Sequence, residues 1–139
     1  MGVNPVYPVK KMAELLSKIL FFFWLFAITF ISLVDYSSIS GLGLSKAFGT
    51  GFWLHLIGYF IAGLLFILAF GKKAQTYLLI ALTALFLLGV LFEIAQLRLP
   101  KRTFNPKDIT ANGLGLIVFY VCYNFRKYLK NPSIKRLRD

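Results

Sequence analysis

FWLHLIGYFIAGLLFILAF at residues 52–70 and YLLIALTALFLLGVLFEIAQL at residues 77–97, separated only by GKKAQT at 71–76, decide how this chain folds. Each stretch is apolar on every side of a helix rather than along one stripe, the pattern of a segment solvated by lipid. About 20 such residues are what a helix needs to cross roughly 30 Å of hydrocarbon. Working outward, residues 15–34 and 108–125 repeat the pattern, the former with Lys18 near one end, where a long stem can carry its ammonium to the headgroups. The sequence therefore predicts an all-α fold, a four-transmembrane-helix bundle. Strands are excluded, because backbone groups in lipid must be paired within the chain and four strands cannot close a barrel.

The chain has 139 residues, 58% of them hydrophobic, and a formal net charge of +11. Such a charge can mark a nucleic-acid binder, but here the basic residues flank apolar segments and form no separate polar face, so no nucleic-acid partner is expected. Lys10, Lys11 and Lys18 precede the first segment, Lys72 and Lys73 lie between the second and third, and Arg126, Lys127, Lys130, Lys135, Arg136 and Arg138 follow the fourth. These eleven of the sixteen basic residues fall on one side, and the positive-inside rule makes that side cytoplasmic, with both termini in. The expected organisation is a cytoplasmic segment at 1–14, a transmembrane domain at 15–125 and a basic cytoplasmic tail at 126–139. The first helix has the outline of a signal peptide, followed as it is by Ser38, Ser40 and Gly41, but its apolar stretch exceeds a usual signal core and an uncleaved helix is expected. Cys122, the single cysteine, falls inside the fourth segment and is expected as a small packing residue.

Two features run against this plain account. The loop at 98–107 carries Arg98, Lys101, Arg102 and Lys107 on the side that the rule keeps poor in cations. Beside it, at the same ends of their segments, stand His55, Glu93, Gln96, Asp108 and Asn112. Glu93 and Gln96 are spaced i,i+3 and Asp108 and Asn112 i,i+4, so each pair shares a helix face. Gly58, Tyr59, Ala62, Gly63, Gly89 and Gly115 extend the same faces with small residues and predict close helix packing.

Ionisable groups inside a membrane segment cost a few kcal/mol unless paired, and so mark function by default. The expected site is one outward-facing pocket, in which Arg102 and Lys101 hold an anionic head group with Gln96, Asn112 and Tyr59, while Glu93, Asp108 or His55 handles protons or hydrogen bonds. The rival reading makes the same groups a structural lock on the helix ends, in an accessory protein that engages another envelope protein. A solute carrier would need polar residues through the membrane depth, and the first two segments lack them toward the cytoplasmic side. A metal held by His, Glu and Asp is the weaker reading, because there is one histidine, no HExxH-type pairing and no cysteine nearby. No cofactor is expected, since the sequence carries no phosphate-binding or dinucleotide motif and no nucleophile elbow.

The run Glu93, Gln96, Pro100, Arg102, Phe104, Asn105, Asp108, Asn112 and Gly115 reads E-x-x-Q-x-x-x-P-x-R-x-F-N-x-x-D-x-x-x-N-x-x-G. It resembles the VanZ-like family, with His55 and Tyr59 matching a histidine and an aromatic residue that the family places on the preceding helix. The resemblance covers about residues 50–125. Gly51 and Phe52 stand where the family often has an Asp-Lys pair, and Phe119 where it often has a further glycine. What the resemblance implies is a small polytopic protein of the bacterial cytoplasmic membrane, acting at the cell envelope and linked to glycopeptide (teicoplanin) resistance. It implies no shared reaction.

Overall fold

The structure, a computed structural model, describes residues 6–33, 51–99 and 104–130. Among the described residues it is all-α, with three helices: α1 (Val6–Leu33), α2 (Gly51–Gln96) and α3 (Pro106–Leu129). Two of them, α1 over Val9–Leu33 and α2, are long and apolar enough to cross a membrane.

The sequence predicts separate helices at 52–70 and 77–97, and α2 holds two helical arms that meet at Gly71 (φ 53, ψ −126), with no loop over 72–76 between them. That conformation lies outside the reach of residues with a Cβ, so one glycine turns the chain without a loop. The turn is complete. Along an unbroken helix His55 and Glu93 would stand about 57 Å apart at 1.5 Å per residue, yet their side chains approach to 3.9 Å. The two arms of α2 are therefore folded against each other.

α1 also begins before the expected residue 15. Lys10, Lys11, Glu14 and Lys18 give this first part a polar face, and Lys18 Nζ donates to Glu14 Oε1 at 2.7 Å across one turn.

α2 lies between α1 and α3, which make no close backbone approach to each other. Against the first arm, Phe21 of α1 sets its ring edge-on to Phe66 and Phe70, with centroids 5.8 and 5.7 Å away. Trp24 Nε1 donates to the Gly58 carbonyl at 2.9 Å. Tyr59, Ala62, Leu78, Leu82, Leu85, Leu116 and Phe119 form the core shared by both arms of α2 and α3.

Glycines set how close these surfaces come, as the small-residue faces predict. A methyl group on Gly115 would overlap the Leu56 backbone carbonyl, one on Gly63 the Phe119 ring, and one on Gly89 the Tyr59 hydroxyl and the Asn112 amide. The Phe119 ring is thus accommodated by Gly63. Cys122 does not pack inward as expected; it lies exposed on the outer face of α3.

The outer surface differs from that of a water-soluble bundle, and polar groups join the apolar core inside. Phe22, Phe26, Phe30, Leu79, Ile80, Ile117 and Val121 are exposed, while the largest fully buried side chains are Glu93 and Asn112.

Candidate functional site

The buried polar groups gather at one end of the bundle because the turn at Gly71 brings the start of α2 beside its end, and α3 begins there too. His55 comes from the first arm, Glu93 and Gln96 from the second, and Asp108 and Asn112 from the first turns of α3. Five expected site residues thus meet from three segments.

α3 starts where it does for local reasons. Asn105 caps it, its side chain accepting from the Lys107 N–H at 3.1 Å, and Pro106 follows with φ preset for a helix. Asp108 in the first turn suits the positive end of the helix dipole. The Asn105 N–H donates to Glu93 Oε2 at 3.2 Å and Gln96 Nε2 donates to Glu93 Oε1 at 3.3 Å. Glu93 therefore ties the end of α2 to the cap of α3, and these bonds offset the cost of burying a carboxyl. In the sequence Asn105 stands out only within the run from Glu93 to Gly115, although an Asn-Pro pair ahead of an apolar run is also a helix-start signal that points to it.

His55 Nδ1 and Asn112 Oδ1 are 2.8 Å apart. An amide oxygen can only accept, so Nδ1 is the donor of this bond and Nε2 is the ring nitrogen left for the carboxyls. That Nε2 stands 3.9 Å from Glu93 Oε1 and 3.9 Å from Asp108 Oδ2, beyond hydrogen-bond range of both. Asp108 Oδ1 and Asn112 Nδ2 are buried and find no hydrogen-bond partner among the described residues. The floor of the site is closed and its mouth open: the Glu93 side chain is 1% exposed, those of Asp108 and His55 14% and 18%.

Tyr59 lies one turn deeper than His55, in the core, with its hydroxyl beside Gly89. Arg98 and Lys107 are exposed at this end of the bundle. Lys101 and Arg102 lie outside the described residues. A shallow groove of about 360 Å³ between Gln75, Thr76, Leu79, Tyr120, Asn124 and Lys127 sits at the other end, about 27 Å along the helix from Glu93, and has no part in this cluster.

Chemically, two carboxyls and an imidazole at the mouth of an apolar bundle can accept and donate protons, bind a polar head group, or surround a cation. Comparison with family models, with curated proteins and with solved structures finds no match for this chain.

Proposed function

We propose that the chain is a multi-pass protein of the bacterial cytoplasmic membrane. Both termini are cytoplasmic, and the polar cluster opens at the outer leaflet, where it holds the anionic head group of an envelope lipid or lipid-linked precursor. The observation that carries this reading is the convergence of His55, Glu93 and Asp108, within 4.8 Å of one another, at the end of a bundle whose outer surface is apolar. A polar centre at the end of an apolar surface suits an amphiphile, whose head would enter the cluster while its tails lie along the exposed phenylalanines and leucines.

Length supports four crossings. The arms of α2 measure about 30 and 37 Å and α3 about 36 Å at 1.5 Å per residue, each enough for roughly 30 Å of hydrocarbon. Charge supports the orientation through the eleven basic residues on the side of both termini. Arg98 and Lys107, with Lys101 and Arg102 from the same loop, would supply the cations for an anionic ligand. The likeness of the Glu93 to Gly115 run to the VanZ-like motif adds a link to the cell envelope and to glycopeptide resistance, and is part of the proposal.

Native mass spectrometry from mild detergent tests this reading. Wild-type protein should retain one class of anionic lipid or precursor, and Arg102→Ala should lose it. Equal retention, or none by either form, would count against a head-group site.

One observation favours a second reading. The bonds from Gln96 and Asn105 to Glu93 are those of a fastening between helices. On that account the cluster locks the bundle of an accessory protein that engages another envelope protein. Glu93→Gln separates the two, since a lock predicts a large loss of thermal stability and a binding site predicts lost lipid retention at near-normal stability.

A further inference from the structure

We infer that His55, Glu93 and Asp108 bind a single divalent transition-metal cation of the zinc or manganese kind, with Asn112 orienting the histidine. A lone histidine makes a metal the weaker reading of the sequence; the spatial arrangement strengthens it. These three residues are the one group of three metal-ligating side chains among the described residues, each offering a donor atom within 4.8 Å of the others. Nε2 is 3.9 Å from either carboxylate oxygen. A point equidistant from three atoms so spaced lies about 2.3 to 2.5 Å from each, a few tenths of an ångström more than the ~2.0 to 2.2 Å of zinc to nitrogen or oxygen. A small inward movement of each side chain closes that difference.

Every donor also has a reason to point at this centre. Ligating histidines typically give their other ring N–H to a carbonyl or carboxylate, and the Asn112 amide oxygen occupies that position at 2.8 Å. Glu93 is held from behind by Gln96 and the Asn105 N–H. Asp108 Oδ1, the partner of the Oδ2 that stands 3.9 Å from Nε2, is buried without a hydrogen-bond partner among the described residues, and a cation bound at this carboxylate would offset that burial. Nitrogen and oxygen donors without thiolate suit zinc or manganese and disfavour copper(I).

Three protein ligands leave an open position, and the exposure of His55 and Asp108 relative to Glu93 turns it toward the mouth. Resting on the head-group reading above, that position is where a phosphate oxygen would bind. The metal would remove the repulsion that two carboxylates otherwise present to an anionic ligand.

The test uses the full chain in mild detergent, stripped with chelator, reloaded with Zn²⁺ or Mn²⁺ alone and desalted, with metal per chain measured by elemental mass spectrometry. Wild type should keep a single ion. Asp108→Asn and His55→Gln should bind at least tenfold more weakly, and Asn112→Ala about 10- to 100-fold more weakly, as for groups that orient a ligand. Pulsed electron paramagnetic resonance of the Mn²⁺ form should show coupling to an imidazole nitrogen. Where a variant fails to fold, this wild-type signal decides alone. Retention no better than in Asp108→Asn, or bound manganese without nitrogen coupling, overturns the inference. No lipid enters the experiment, so its failure is separate from failure of the head-group reading, which lipid retention tests.

Discussion

α1 and α3 flank the same doubled α2, but they hold it by different chemistry. α1 leans on the first arm through the Phe21, Phe66 and Phe70 rings and the Trp24 to Gly58 hydrogen bond. α3 is keyed to both arms by glycines that leave no room for a methyl group and by polar contacts reaching His55 and Glu93. Aromatic contacts tolerate small displacements, whereas backbone approach and hydrogen bonds fix register and depth. α3 and the arms of α2 therefore form the precise part of the molecule, and α1 packs against it.

The strongest way to break this contrast is Gly115→Leu. The new side chain meets the Leu56 carbonyl, which is backbone and cannot rotate away. A loss of ~3 kcal/mol is expected in reversible unfolding in detergent, at the upper end of overpacking effects. A loss below about 0.5 kcal/mol would mean that α3 is not held at this contact. Next comes Glu93→Ala, which strands the Gln96 amide and the Asn105 N–H and should cost about 1 to 3 kcal/mol in the same measurement. Hydrogen exchange at the start of α3 should rise with it.

On the α1 side the effects should be smaller. Trp24→Phe keeps most of the ring and removes one hydrogen bond to Gly58, for about 0.5 to 1.5 kcal/mol. Phe26→Ala, on the exposed face of the same helix, should change stability by no more than about 0.5 kcal/mol in detergent. If it costs as much as Gly115→Leu, then α1 packs inward on a face that this structure leaves open.

Much of this arrangement is legible in the sequence. Uniformly apolar stretches give the helices, and the placing of His55, Glu93 and Asp108 at corresponding ends gives the cluster once the chain folds back. The small-residue positions 63, 89 and 115 foretell the close contacts, whereas a methyl group on Gly58 would meet Ile28 at an ordinary distance. Other features escape a reading by composition. The turn between the two apolar stretches is expected at 71–76, but not its narrowing to Gly71 alone, because Lys72, Lys73 and Ala74 have good helix propensity and only the backbone angles place the break. The outward face of Cys122 depends on the rotation of α3, which Gly115 and Phe119 set by contacts distant in sequence. The pairing of Asn112 with His55, 57 residues apart, likewise follows from tertiary packing and from no local pattern.

The account rests on where the polar end of the bundle faces, and thiol labelling in intact cells tests that most directly. In a Cys122→Ala background, Lys107→Cys should react with a membrane-impermeant maleimide added outside, while Lys130→Cys at the far end of α3 should react only after permeabilisation. The reverse pattern, with Lys130→Cys labelled from outside and Lys107→Cys protected, would contradict an outward-opening site.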